Sequence, residues 1–258
     1  MKVSEIFENL AEPINVTNKN KVHRFYDQVI EQCSIAVKHF LHEGECLYRG
    51  EYTNSNLMIW QPSDNERPAA NFDFDYYKYF FNQLPSWQEA PIPNRSRSII
   101  CSPDGSYSSG FGTGDVYAVF PVDAAIMGIA PDYDFWGSRV KHDTIMTPEL
   151  EQTTNYKSYM KYSITSSQPM PFTTYLRILE EYTEGQPKKI IPTLKELGIF
   201  DKVNEAFNPY AMGIRAVSTQ QFYSKFPQYN NEVWTSDKCF GIQNVEDFIR
   251  YMDEPYED

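Results

Sequence analysis

An arginine lies in the middle of a short apolar stretch, residues 45–52, with the sequence ECLYRGEY. The side chains around it are typical of a buried strand. Because a guanidinium keeps its charge when it is buried, Arg49 in such a strand needs an anion beside it. That anion is either a neighbouring carboxylate or a phosphate of a bound ligand. Gly50 follows directly and lets a backbone or a ligand approach closely.

The standard signatures of phosphate-binding loops, dinucleotide-binding folds, zinc proteases and α/β-hydrolases do not occur in this chain. The glycine-rich run at 110–114 precedes a predicted strand, so it lacks the helix N-terminus that would bind phosphate. The four cysteines form no C-x-x-C pair with zinc spacing. Three histidines on a predicted helix, His23, His39 and His42, are interpreted as solvated or core-edge groups. We therefore expect no metal site.

The composition indicates a globular protein with a substantial core. The chain has 258 residues, of which 41% are hydrophobic and 22% charged. Its formal net charge of -12 disfavours nucleic acid and anionic membranes as partners, because both attract basic surfaces. No stretch approaches about 18 apolar residues, and the N-terminus leads into no apolar signal segment. The scattered cysteines fit a reducing cytoplasm.

Hydrophobic spacing predicts the elements that position Arg49. Apolar residues at three- and four-residue steps predict one amphipathic helix over 22–41, capped by Asn18 or Asn20 and ended by Gly44. Further predicted elements are, in chain order, a loop at 53–70, a helix at 72–84, an extended connection at 85–93, and strands at 98–102, 115–122 and 124–130.

The character of the sequence changes to helical between about 148 and 210, which predicts a helical insertion in a strand-based core. After it, a strand is predicted at 212–217, and residues 232–242 predict a β-hairpin. A final helix is predicted over 245–252, with Asn244 as its cap. The predicted organisation is a single domain, 1–258, with an N-terminal helical segment at 1–43 and the insertion at 148–210.

Three of the predicted strands carry residues that resemble the motifs of the ADP-ribosyltransferases of the arginine–serine–glutamate type. The first holds Arg49, and the second ends in Ser102, followed by Asp104 and by Phe111 with a glycine. A late strand begins at Glu232. The resemblance covers about residues 44–140 and 211–243, and it is to the divergent members carried by bacteriophages.

The resemblance implies a role for each of these residues. Arg49 would bind the NAD phosphates, a bidentate use of a guanidinium. Glu232 would hold a hydroxyl of the nicotinamide ribose and stabilise an oxocarbenium-like transition state as nicotinamide leaves. Ser102, or Ser98 on the same strand, would orient that carboxylate. The other implied cofactor-binding residues are Gly50, Tyr48, Phe111, Trp136 and Arg139, and the implied acceptor loop contains Tyr223, Phe226, Tyr229 and Asn230.

The chain departs from the family pattern at two places. The family's serine–threonine–serine corresponds here to residues 100–102, with the sequence ICS, so Ile100 replaces the first serine. Ser96 and Ser98 are candidates to replace it. The position two before the glutamate, often Glu or Gln in the family, is Asn230 here. These departures motivate an alternative in which the transferase fold is kept without catalysis.

We therefore expect an α+β fold of the ADP-ribosyltransferase type, with a split, mostly antiparallel sheet, N-terminal helices and a helical insertion. The expected function is transfer of ADP-ribose from NAD to a protein acceptor in the cytoplasm, or in the host cytoplasm for a viral protein. The alternatives are an inactive transferase-fold protein that binds a partner, such as a host factor, and an NAD glycohydrolase. From the residues alone, Glu232 is equally well a solvated carboxylate on an edge strand.

Overall fold

The chain forms two compact units. The first comprises Met1–Asn65, Ile92–Tyr133 and Ala216–Asp258, and the second Glu66–Pro91 and Asp134–Arg215. The expectation of a single domain stays a prediction. The computed structural model describes residues 11–14, 17–61, 81–108, 114–132, 135, 185–196, 198, 200–227 and 231–253.

Two helices stand where the sequence predicted one. They are α1, Lys19–Gln32, and α2, Ser34–Glu43, and they meet at Cys33. The predicted ends are confirmed, because the Asn18 side chain accepts a hydrogen bond from the first turn of α1 and Gly44 ends α2 in the left-handed region with φ 72°.

The break between α1 and α2 has a tertiary cause. The carboxylate of Asp123 accepts hydrogen bonds from the Ser34 hydroxyl at 2.6 Å and from the Ile35 amide at 2.9 Å. Its own amide donates to the carbonyl of Gln32 at 2.8 Å. A carboxylate from a distant turn thus caps a new helix inside a continuous apolar pattern, which the spacing of that pattern alone does not predict.

The described strands form two antiparallel sheets, so the α+β class is confirmed. The first sheet has the order β1-β3-β9-β5-β2 and the second β4-β8-β6-β7. In chain order the strands are β1 (Ala11–Pro13), β2 (Leu47–Glu51), β3 (Leu57–Trp60), β4 (Ile99–Cys101), β5 (Asp115–Pro121), β6 (Ile126–Ile129), β7 (Arg215–Ser218), β8 (Val233–Thr235) and β9 (Cys239–Ile242).

Two sequence predictions about strands are wrong. The loop predicted at 53–70 contains β3, whose residues are buried against β9 although polar residues flank them. The hairpin predicted at 232–242 does not form, since β8 pairs with β4 and β6 while β9 pairs with β3 and β5. The two strands of the predicted hairpin therefore belong to different sheets.

The sheets are joined where β2 passes the end of β4. The amide of Tyr48 donates to the carbonyl of Ser102 at 2.7 Å, and the amide of Ser102 donates to the carbonyl of Tyr48 at 2.9 Å. This isolated antiparallel bridge connects the predicted arginine strand to the predicted serine strand.

The remaining described helices are short. The extended connection predicted at 85–93 is wrong at its start, where Pro85 occupies the first turn of a helix, a position that needs no amide hydrogen. The strand predicted at 212–217 is shifted to β7. Most of the predicted helix at 72–84 and most of the insertion lie outside the described residues. The helices are α3 (Pro85–Gln88), α4 (Gly105–Ser108), α5 (Ile190–Glu196), α6 (Phe200–Ala206), α7 (Thr219–Ser224) and α8 (Val245–Asp253).

In the described part of the second unit, several aromatic side chains pack together. The ring of Phe135 meets those of Phe81 at 5.4 Å and Trp87 at 5.9 Å between centroids, in edge-to-face geometry. The indole of Trp87 donates to the carbonyl of Phe207 at 2.7 Å, which ties α3 to the end of α6. Among the described helices of the chain, none is long and apolar enough to cross a membrane.

All four cysteines, Cys33, Cys46, Cys101 and Cys239, are buried thiols that form no disulfide. Burial raises the pKa of Cys46 to about 11 and also raises the pKa of Cys33 and of Cys239. Because the thiolate is the reactive form, we expect no labelling by a maleimide at about pH 8 in the folded protein and four labels after unfolding. Mass spectrometry counts the labels, and rapid labelling of a native thiol at that pH would contradict the prediction.

Candidate functional site

The anion beside Arg49 is a carboxylate of the same strand. The Nε of Arg49 lies 3.1 Å from Oε2 of Glu51, and its Nη1 donates to the carbonyl of Ile100 at 2.9 Å. Both side chains are buried, with Arg49 4% exposed. Residues two apart on a strand project to the same face, which brings these two charges together. The guanidinium thus spans from β2 to β4.

The strand that carries Arg49 lies beside the strands that adjoin Ser102 and Glu232. Cys101 of β4 pairs with Val233 of β8 in antiparallel register, and continuing that register by one residue sets Ser102 opposite Glu232. Ser102 is also bridged to Tyr48 of β2. Three segments far apart in the sequence are therefore adjacent in the first unit.

Glu232 is fully buried, with no exposed surface. Its Oε1 accepts a hydrogen bond from Nε of Arg95 at 2.5 Å, and Arg95 is itself buried. The backbone amide of Glu232 donates to the carbonyl of Asp132 at 3.0 Å, and its carbonyl accepts from the amide of Ala130 at 2.9 Å. The strand that follows, β8, lies between β4 and β6. The alternative of a solvated carboxylate on an edge strand is therefore wrong.

A mostly buried segment, residues 93–98, which we call the 93–98 clasp, places Arg95 beside Glu232. The side-chain oxygen of Asn94 accepts from the amide of Ser96 at 3.0 Å and from its hydroxyl at 2.7 Å. This caps the short 3-10 helix Arg95–Arg97. The carbonyl of Pro93 accepts from the indole of Trp234, 2.9 Å away, which fastens the clasp to β8.

The two serines predicted to orient Glu232 have other bonds in this structure. The Ser98 hydroxyl donates to the carbonyl of Asn94 at 2.7 Å. A hydroxyl has a single hydrogen to donate and a carboxylate only accepts, so Ser98 acts on the clasp and not directly on Glu232. The Ser102 oxygen accepts from the amide of Asp104 at 3.1 Å, which shapes the turn after β4.

Two predicted cofactor-binding neighbours of Arg49 lie in well-packed surroundings. Gly50 is buried and pairs with Val116 of β5. The half-buried ring of Tyr48 lies against Gly105 at the start of α4, so close that a methyl group there would be in contact with it at 3.5 Å. Burial raises the pKa of Tyr48, which keeps its hydroxyl neutral.

The predicted acceptor residues Tyr223 and Phe226 lie in and just after α7. Tyr223 is buried on a helix instead of lying in a loop, and burial raises its pKa well above the ordinary value. Its ring stacks on Phe226 with centroids 5.7 Å apart, and both rings contact His39 of α2. Tyr223 belongs to the core of the first unit, and the half-buried Phe226 packs against that core.

The other predicted site residues are not in the described part of the chain. These are Phe111, Trp136, Arg139, Tyr229 and Asn230. Their assignments to NAD and to the acceptor stay predictions.

A cavity of about 330 Å³ lies elsewhere in the first unit, and its lining includes none of the predicted site residues. It opens beside the first turns of α1 and α8. Its acidic wall residue, Asp247, is already bonded to Asn244 at 2.8 Å and to Arg250 at 3.2 Å. Across the described ranges, no group of three or more histidine, cysteine or acidic side chains is placed to hold a metal ion.

Sequence reasoning missed both charged partners, Glu51 and Arg95. The signal for Glu51 is present in the sequence, because it follows Arg49 by two residues and must share its strand face. Arg95 lies 137 residues from Glu232 and shows no local pattern that links the two. Comparison of the chain with protein-family models, with curated proteins and with solved structures finds no match.

Proposed function

We propose that the chain is an NAD-dependent mono-ADP-ribosyltransferase that modifies a protein acceptor. The observation that supports this is the adjacency of three strands whose motif residues are Arg49, Ser102 and Glu232. The family resemblance requires these three types of residue around one NAD molecule, although they are scattered over more than 180 positions of the sequence. Arg49 lies in the first sheet, and Ser102 and Glu232 lie beside strands of the second, so the bridge between Tyr48 and Ser102 is what brings the three together.

The proposed reaction transfers ADP-ribose from NAD to a nucleophile of the acceptor. The bond between C1′ of the nicotinamide ribose and the nicotinamide nitrogen breaks, and nicotinamide leaves with the electron pair. The acceptor nucleophile bonds to C1′ and loses its proton. Arg49 would neutralise the diphosphate, and Glu232 would accept from a ribose hydroxyl and stabilise the positive charge that develops on the sugar. Water as the acceptor would make the same site a glycohydrolase.

Binding of NAD requires a local opening of this site. Arg49 is 4% exposed and Glu232 is fully buried, each in an ion pair with another residue of the chain. A diphosphate bound to Arg49 would lie close to the carboxylate of Glu51, which is 3.1 Å from Nε, and the two negative charges would repel each other. These two buried pairs are also the observation that favours the second candidate, a transferase fold without catalysis that binds a partner protein.

The test is nicotinamide release from NAD by the purified protein, with and without a cell extract as the source of acceptor. We expect turnover by the wild type and a raised KM for NAD in Arg49→Gln. The matched control is Glu51→Gln, which breaks the same ion pair but removes no phosphate ligand. Both variants should be compared at equal folded fractions, measured by circular dichroism.

The outcomes separate the candidates. Turnover that transfers label to protein supports the transferase, and turnover without protein labelling supports the glycohydrolase. Absence of both turnover and NAD binding, with extract present, would overturn the enzyme assignment in favour of a binding protein. Equal effects of Arg49→Gln and Glu51→Gln on KM would show that the ion pair matters only for structure.

A further inference from the structure

We propose that Arg95 is the positioning residue for Glu232, in the place that the serine motif is expected to fill. This inference rests on the proposed function. Its basis is the contact between Nε of Arg95 and Oε1 of Glu232, 2.5 Å long and formed between two buried side chains. A charge-assisted bond of this length fixes the direction of the carboxylate more firmly than a neutral hydroxyl does.

Neither Ile100 nor Ser98 of the predicted serine motif donates a hydrogen bond that orients the Glu232 carboxylate. Ile100 stands at the first serine position and has no polar group, and the Ser98 hydroxyl gives its hydrogen to the carbonyl of Asn94. The bond of Ser98 instead closes the clasp on Arg95, since the amide of Arg97 donates to the same carbonyl at 3.0 Å. Ser98 therefore acts on Glu232 through Arg95.

The clasp is hydrogen-bonded to β8, the strand that directly follows Glu232. Trp234, two residues after Glu232, donates its indole hydrogen to Pro93, and Glu232 accepts from Arg95. Two bonds, one to Trp234 of β8 and one to Glu232 just before that strand, thus fix the position of the clasp.

The test compares Arg95→Gln and Arg95→Lys with the wild type in nicotinamide release. A positioning role predicts that Arg95→Gln lowers kcat by about 10- to 100-fold, the usual effect of losing a residue that orients a functional group, with KM for NAD little changed. Arg95→Lys keeps the charge and should recover part of kcat. Arg97→Gln, the same substitution two residues further along the clasp, is the matched control and should leave kcat within a few fold.

Each possible result either supports or overturns the positioning role of Arg95. A kcat that falls only in proportion to the folded fraction, measured by circular dichroism at the assay temperature, would mean a structural role and overturn the proposal. Equal losses in Arg95→Gln and Arg97→Gln would overturn it as well. With an active wild type and an unchanged Arg95→Gln, the inference about Arg95 fails while the proposed function stands. A wild type that turns over no NAD removes both.

Discussion

Replacing Glu232 with glutamine is expected to lower nicotinamide release from NAD by at least about 100-fold while the chain stays folded. Glutamine keeps the shape of the side chain and an oxygen that can accept from Arg95, but it loses the negative charge. In the proposed reaction that charge stabilises the cationic sugar as nicotinamide departs. The effect should therefore appear in kcat more than in KM for NAD.

The stability of Glu232→Gln must be measured alongside its activity, because Arg95 loses its buried counterion in this variant. Breaking a buried ion pair on one side costs about 3–5 kcal/mol when the remaining charge finds no substitute. The double variant Arg95→Gln with Glu232→Gln removes both charges and should regain stability without regaining activity. The isosteric change Glu51→Gln, in the neighbouring buried pair, should reduce turnover much less. A wild-type rate in Glu232→Gln would contradict the assignment of this carboxylate.

Replacing Gly128 with alanine is expected to destabilise the first unit by about 3 kcal/mol. Gly128 of β6 pairs with Trp234 of β8, whose buried indole covers it. A methyl group at position 128 would lie 2.6 Å from the indole nitrogen and 2.7 Å from Cζ2. The gain of up to about 1 kcal/mol from replacing a strand glycine is outweighed, because the ring must move and its bond to Pro93 would be strained.

Urea unfolding of Gly128→Ala, followed by tryptophan fluorescence, measures this effect. The matched control is Gly105→Ala, where the added methyl group would lie in ordinary contact with Tyr48 at 3.5 Å. That control should stay within about 0.5 kcal/mol of the wild type. Combining Gly128→Ala with Trp234→Leu removes the overlap, so the added cost of the glycine change should largely vanish in that background. A stable Gly128→Ala single variant would show that the indole has room to shift.

The elements that the sequence predicted correctly are those decided by neighbouring residues. Asn18 caps α1 and Gly44 ends α2, because a side-chain oxygen and a left-handed backbone act within one turn. The strands around Arg49 and before Ser102 follow from short apolar runs between turn signals. The charged partner of Arg49 was missed although it too is decided by neighbouring residues, since alternation along β2 places Glu51 on its face.

The sequence predictions are wrong where residues distant in the chain determine a helix end or a strand pairing. The helix pattern over 22–41 is unbroken in the sequence, yet Asp123 caps a second helix inside it. Similarly, Cys239 follows β8 closely enough for a hairpin, but the pairing of β9 with β3 and β5 draws it into the other sheet. Local propensity is a weak guide when a strand or a helix end can gain more by pairing with a remote segment.

In the candidate site, too, some features follow from the local sequence and others only from the tertiary structure. The sequence by itself determined the residue types and the strands at or beside Arg49, Ser102 and Glu232, because strand formation there depends on local apolar runs. The tertiary structure alone decided that these strands lie side by side, that Glu232 is buried, and that Arg95 is its partner. A buried carboxylate must be paired, but which cation pairs with it depends on the register of strands and the path of the clasp. Those are set by packing across the whole unit and leave no local trace in the sequence.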